Sequence, residues 1–373
     1  MKRFVLIFCC FFFIHFAFAA DFVSVKDCHF LYKERPYYFF GVNWNVTELL
    51  QSLPYKQKNK VIAEELNLMA RYGINDLRIT VGMDTLDVSN REDRNVKSLI
   101  VGLDYLLKEV SRRNMHIVFC VTINENSWEG NGDAVRHNLK SFVQHSNIYT
   151  KSTYNTDPSI MAWELCFDSE VHDAFPTDIS KLNAIVSYIR NLVPKQLLTV
   201  AGSHALRNDE TRFMQLFNNP QVDYVTINIM PSEYGWVSSD RIFEDLSNAY
   251  VQTSEYIDRI SFWANKCRKP VVIDEFSYLR DRYRRIPFTS TYSRNGFYSF
   301  ILNKIFQGKN NQNGLTGGFL STWGGWHIPG DYRRENIISL LNREANLCPY
   351  YVYGNDSLTL GVIAQGIRTL NEK

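Results

Sequence analysis

Read along its hydrophobic positions, the chain repeats one pattern: a short, almost wholly apolar run, then a stretch with apolar residues at helical spacing. Tyr37-Tyr-Phe-Phe-Gly-Val-Asn-Trp44 is the first such run. Lys56 to Tyr72 follows, with Val61, Ile62, Leu66, Met69 and Ala70 at helical spacing and a stop at Gly73. The alternation continues with strands predicted over 76–80, 116–123, 160–166, 197–201, 222–230, 271–276 and 317–323. Helices are predicted over 95–114, 133–147, 176–193, 209–217, 240–266, 291–307 and 356–370. Strands too apolar to alternate suit a parallel sheet buried on both faces. Eight strand–helix units are the count that closes a barrel. The pattern predicts an α/β fold with a single (β/α)8 TIM barrel.

The first twenty residues stand outside this pattern. Lys2 and Arg3 precede an apolar run from Phe4 to Phe18, and Ala17-Phe18-Ala19 supplies small residues around a cleavage point. We read residues 1–20 as a signal peptide and 21–373 as one barrel domain, exported to a periplasm or secreted. About 350 remaining residues suit one barrel, and no Pro/Gly/Ser linker divides them. Against 41 basic residues stand 39 acidic ones, a net charge of +2 with no basic arm or acidic tail. Nucleic acid is thereby excluded as an expected partner, as is a membrane once the signal is removed, and a monomer is expected. Cys28, Cys120, Cys166, Cys267 and Cys348 remain, with no spacing typical of a metal site. Cys120 and Cys166 read as small apolar fillers, and a Cys28 to Cys348 bridge is open to the exported chain.

Chemistry enters at two strand ends. Asp157-Pro-Ser-Ile-Met-Ala-Trp-Glu-Leu-Cys-Phe-Asp-Ser-Glu170 and Lys269-Pro-Val-Val-Ile-Asp-Glu-Phe-Ser-Tyr278 are both apolar runs that finish in carboxylates. In a parallel barrel the C-terminal strand ends build the active site, so Asp168 and Glu275 are expected to face one pocket. Paired carboxylates are what glycoside hydrolysis requires. Glu164 shares the side-chain parity of Asp168 but sits a layer lower, which makes it structural.

Six segments in order resemble the strand signatures of glycoside hydrolase family 5, and within it the secreted endo-β-1,4-mannanases. They are Phe39-Phe-Gly-Val-Asn-Trp44, Gly73-Ile-Asn-Asp-Leu-Arg78, Gly102-Leu-Asp-Tyr-Leu-Leu107, Asp157 to Leu165, Val222-Asp-Tyr-Val-Thr226 and Lys269 to Phe276. The resemblance implies a retaining hydrolase of β-mannan or a related β-1,4-glycan, with no metal and no organic cofactor. It assigns Glu275 as nucleophile, Asp168 as acid/base and Arg78 as the cation that hydrogen-bonds the nucleophile. It also exposes departures. Trp163-Glu-Leu-Cys-Phe-Asp-Ser169 has Phe167 where the family has the asparagine that binds the sugar 2-hydroxyl, and Asp168 where it has glutamate. Asn228 and Met230 replace a histidine and a tyrosine, Ser321 stands at the sugar-platform tryptophan, and His204 takes a loop position usually held by glutamate.

Aromatic rings suited to sugar faces remain, at Trp44, Trp128, Trp236, Trp323 and Trp326, and Asn228 joins them as a candidate substrate contact. Some of these rings could equally cap the barrel core. Two readings follow: a secreted β-glycosidase with a partly degraded active site, or a non-catalytic glycan-binding protein on the same scaffold.

Overall fold

The computed structural model of the chain describes residues 21–372 apart from 85, 91, 125–127, 129–131, 169–178, 203, 284–288, 312–313 and 326–348. The proposed signal segment 1–20 lies outside the described residues. Eight parallel strands form the central sheet: β4 (Phe39–Asn43), β5 (Asp76–Gly82), β6 (His116–Asn124), β7 (Ile160–Asp168), β8 (Leu197–Val200), β9 (Val225–Ile229), β10 (Val271–Phe276) and β11 (Leu315–Leu320). Their order is β8-β7-β6-β5-β4-β11-β10-β9, so the two ends of the sheet are neighbours in sequence. At the seam between β8 and β9, hydroxyls join the backbone bridge from the Asp223 amide to the Leu198 carbonyl at 2.7 Å. Thr199 Oγ1 donates to the Tyr224 carbonyl at 2.6 Å and Thr226 Oγ1 to that of Val200 at 2.7 Å. Gly202 sits against the same seam, where an added Cβ would lie 2.0 Å from the Thr226 carbonyl oxygen.

Helices follow the strands as the periodicity predicts. After the short α1 (Thr47–Ser52) comes α2 (Tyr55–Arg71), whose end shows how locally these boundaries are set. Gly73 takes φ +82°, and the Ile74 amide returns to the Met69 carbonyl at 3.1 Å, closing a Schellman-type cap. α3 (Arg94–Ser111) begins at Asp93, whose carboxylate accepts from the Asn95 and Val96 amides. The ring continues with α4 (Gly132–Val143), α5 (Ile179–Leu192), α6 (Glu210–Phe217), α7 (Leu246–Lys266), α8 (Tyr292–Asn311) and α9 (Ser357–Asn371).

The lead before the barrel forms more structure than the hydrophobic pattern announces. β1 (Ser24–Lys26), β2 (His29–Tyr32) and β3 (Arg35–Tyr37) make a small antiparallel sheet. It closes the N-terminal end of the barrel: Val23 and Phe30 are buried in one cluster with Phe39, Val118, Tyr224, Val272 and Phe319. A buried polar chain ties this sheet to the barrel floor. The Tyr37 hydroxyl donates to Asp76 Oδ2 at 2.6 Å and shares a 2.8 Å hydrogen bond with His116 Nδ1. Burial pushes the Asp76 carboxyl up to about 8 and His116 down to about 4.

These shifts give the floor a pH signature. A raised carboxyl stabilises the fold below its ordinary value of 3.8, and that contribution is lost as pH rises through about 8. A depressed imidazole acts oppositely, costing stability as pH falls from 6.5 towards about 4. The two oppose each other in mildly acidic solution, and Asp76 dominates from neutrality to pH 8. Asp76→Asn should therefore match the parent within about 1 kcal/mol near pH 5 and exceed it by roughly 2–4 kcal/mol near pH 8. Denaturant midpoints at the two pH values test this, and a pH-independent difference would contradict it.

Candidate active site

Inward-facing side chains of β4 to β7 make one network across the barrel lumen. Arg78 on β5 reaches past β6 to Glu164 on β7, with Nε to Oε2 at 3.0 Å and Nη2 to Oε1 at 2.6 Å. Its Nη1 donates to Asn43 Oδ1 at 2.8 Å and its Nη2 also to Cys120 Sγ at 3.2 Å. Asn43 in turn donates to the carbonyls of Asp274 and Leu320, so the network joins strands on both sides of the barrel. Glu164 is buried and paired, as the parity argument expects. Along a strand, four residues advance about 13 Å, which puts Asp168 far above it. Asp168 closes β7 opposite Asn124, and the side chains of Phe167 and Asp168 lie outside the described residues.

The role expected of Arg78 needs correction. Its hydrogen bonds among the described residues go to Glu164, Asn43 and Cys120, and none goes to Glu275. A bidentate carboxylate one layer away matches the planar guanidinium fork and consumes it. Arg78 acts on Glu275 through its field alone, favouring the ionised carboxylate.

Glu275 owes its orientation to an irregularity in β10. Against β9 the register steps from Ile273↔Ile227 to Glu275↔Asn228, and against β11 from Ile273↔Gly318 to Phe276↔Leu320. Both neighbours therefore record one extra residue, a β-bulge at Asp274 and Glu275. In a regular strand, adjacent residues point to opposite faces, whereas a bulge re-aims one of them. Asp274 and Glu275 consequently share the field of Arg78 and Glu164. Asp274 is buried, and desolvation together with Glu164 raises its carboxyl well above the ordinary range. It lies beneath the site.

Glu275 itself is half-buried. Burial raises its carboxyl, and a hydrogen bond from Ser321 together with Arg78 opposes that rise. The Ser321 hydroxyl donates to Glu275 Oε1 at 2.6 Å. Above them opens a cleft of about 560 Å³, lined by Asn43, Trp44, Asn45, Thr47, Arg78, Thr80, Gly82, Ser321, Thr322 and Tyr351 with Glu275. The mouth lies where β5 changes from buried Arg78 to exposed Thr80 and Gly82. One apolar ring and several amides and hydroxyls make a surface suited to a polyhydroxylated ligand with hydrophobic faces.

Neighbouring loops hold this wall. Asp281, six residues beyond Glu275, accepts from the Tyr292 and Ser293 amides and so caps α8. Buried Arg294 donates to the carbonyls of Tyr278 at 3.0 Å and Tyr351 at 2.9 Å, coupling the loop after Glu275 to the cleft wall.

The other expected substrate contacts divide. Trp44 lines the cleft though only 6 % of its surface is exposed. Trp323, at 3 % exposure, is part of the hydrophobic core and donates its indole N–H to Glu65 Oε2 at 2.9 Å, so it offers no open platform. Trp128 is 8 % exposed, covered by Arg136 and edged by Tyr188. These two rings serve packing, because each finds apolar or hydrogen-bonding partners away from the cleft. Trp236 is half-buried against Tyr234 and Tyr256. Asn228 faces Glu275 in register, and its amide oxygen accepts from Tyr234 at 2.7 Å. Trp326 lies outside the described residues, as does Cys348, while Cys28 carries a free thiol. The pattern did not single out Asn43, Thr80, Thr322 or Tyr351; only the parity of strand-end residues hints at the first two.

Comparison with known proteins agrees with this geometry. The family described as GH family 5 beta-mannosidase-like matches residues 20–137 and 132–365. The chain is 23% identical over 331 residues to mannan endo-1,4-beta-mannosidase 7 of Arabidopsis thaliana, covering 74% of each chain. It is 24% identical over 336 residues to mannan endo-1,4-beta-mannosidase 5 of Solanum lycopersicum, covering 76% of this chain and 77% of that one. Among solved structures, a glycoside hydrolase family 5 mannosidase from Rhizomucor miehei superposes with a TM-score of 0.78 at 20% identity, covering 94% of this chain and 98% of that one. With the eight-stranded parallel barrel and the strand-end carboxylate in place, the chain belongs to the mannosidase-like group of glycoside hydrolase family 5.

Proposed function

We propose that the chain is an exported retaining β-glycosidase that hydrolyses β-1,4-linked mannan or a related glycan. The observation that carries this reading is the bulge that turns Glu275 towards a cleft of amides, hydroxyls and one tryptophan ring. A relative's mutant crystallised in complex with mannosyl-fructose supports the glycan class, as do the plant mannan endo-1,4-beta-mannosidases. Export is supported by Lys2 and Arg3 before the apolar run. None of the described helices is long and apolar enough to cross a membrane.

In this reading a Glu275 oxygen attacks the anomeric carbon as the glycosidic C–O bond breaks, and Asp168 gives its proton to the departing oxygen. Water then returns a proton to Asp168 as it displaces Glu275, so the anomeric configuration is kept. Asp in place of Glu shortens the donor arm by about 1.5 Å, and Phe167 offers no hydrogen bond to a 2-hydroxyl. Both changes argue for slow turnover, because misplacement of about 1 Å can cost on the order of a hundredfold.

A second reading, a glycan-binding protein without turnover, is favoured by Met230 as well as Phe167. Met230 takes a hydrogen bond from Ser277 at 3.0 Å, and its thioether has no proton to donate to the nucleophile as a tyrosine there would. Reducing-sugar release from β-mannan and a β-glucan panel separates the two, with product anomers followed by NMR. Early β-anomers support retention, and α-anomers would assign inversion. Absent release with retarded migration in polysaccharide gels would establish the binder.

A further inference from the structure

We propose that Ser321 is the positioning residue of Glu275, holding one carboxylate oxygen so that the other faces the cleft. Its catalytic meaning rests on the glycosidase reading; the positioning itself does not. Three features carry the assignment. Ser321 is placed by backbone first: its amide donates to the Phe276 carbonyl at 2.9 Å, tying the end of β11 to the residue after Glu275. Its side chain then completes a short chain of donors. The single Ser321 hydroxyl proton goes to Glu275 Oε1 at 2.6 Å, and Thr322 Oγ1, 3.2 Å away, is free to donate to the Ser321 oxygen. Such chains polarise one another and strengthen the terminal bond.

Arg78 and Asn43, which line the same cleft, direct their hydrogen bonds elsewhere. Arg78 is spent on Glu164, Asn43 and Cys120. The Asn43 amide is spent on the Asp274 and Leu320 carbonyls. Among the described residues, Ser321 supplies the one hydrogen bond to the Glu275 carboxylate. Only 7 % of Ser321 is exposed, so water is a poor substitute if the hydroxyl is removed. Fixing Oε1 restricts rotation of the carboxylate and leaves Oε2 as the attacking atom. It also opposes the rise that burial imposes on this carboxyl.

Ser321→Ala and Ser321→Thr in the full chain test this with two readouts. The first is a carbon-13 NMR titration of labelled glutamate carboxyls, with the Glu275 signal identified by its loss in Glu275→Gln. The second is the pH profile of mannan hydrolysis. Ser321→Ala should raise the Glu275 midpoint by about one pH unit. It should move the acidic limb of kcat/KM up by the same amount and lower kcat about tenfold with little change in KM. Ser321→Thr, which keeps the hydroxyl, should restore both. An Ala midpoint equal to the parent's would overturn the assignment. If the parent itself releases no sugar, the glycosidase reading fails while the NMR midpoint still decides the role of Ser321.

Discussion

Replacing Glu275 by Ala should abolish mannan hydrolysis, by about 10⁴-fold or more, without unfolding the barrel. Loss of an essential catalytic group typically costs this much or more, because the remaining machinery recovers only the part owed to binding. Stability should change little or rise. Glu275 is a half-buried carboxylate beside Glu164 and Asp274, and burial already works against its charge. A residual rate within tenfold of the parent would show that another group carries the chemistry. Unaltered retardation by mannan in the variant would show that the cleft's grip on glycan lies in the polar lining and Trp44 rather than in the nucleophile.

The second large effect is structural and falls one layer below. Glu164→Leu should destabilise the fold by about 3–5 kcal/mol, because it leaves the Arg78 guanidinium buried without its counter-charge. The double variant with Arg78→Met should recover most of that loss, since replacing a buried pair by apolar groups is often neutral. Denaturant midpoints on both variants test the pair; a single-variant loss below about 1 kcal/mol would place the pair outside the folding core. The same substitution removes a like charge that raises the Glu275 carboxyl. If the single variant remains folded, its acidic activity limb should move down, opposite in sign to Ser321→Ala.

Much of this arrangement was legible in the chain. Eight apolar runs alternating with helical stretches specify a parallel barrel because only strands buried on both faces read that way. The period of two put Glu164 and Asp168 on one face at different depths, and the lower one is indeed buried and paired. What escaped was chosen by tertiary geometry. Arg78 had two carboxylates to select from, and the sequence carries no signal that Glu164 would engage both sides of its guanidinium fork. The extra residue at Asp274 cannot be seen without the neighbouring strands, since a bulge is defined by the register it breaks. Trp323 stands close to a strand end as a sugar platform would, but Glu65 on α2 supplies an inward partner for its indole nitrogen. Judged by residue type, Ser321 reads as a lost tryptophan; its worth lies in a 2.6 Å contact to Glu275, 46 residues away in sequence. The N-terminal strands carry little hydrophobic signal of their own because they are only three or four residues long and lean on the barrel floor for burial.

The most direct test of the account is covalent trapping of the nucleophile. The full chain would be incubated with 2-deoxy-2-fluoro-β-mannosyl fluoride, digested, and mapped by mass spectrometry. The account predicts one fluoromannosyl adduct on the peptide carrying Glu275, absent from Glu275→Gln. Mannan hydrolysis by an enzyme that acquires no adduct at Glu275, or acquires it on another carboxylate, would contradict it.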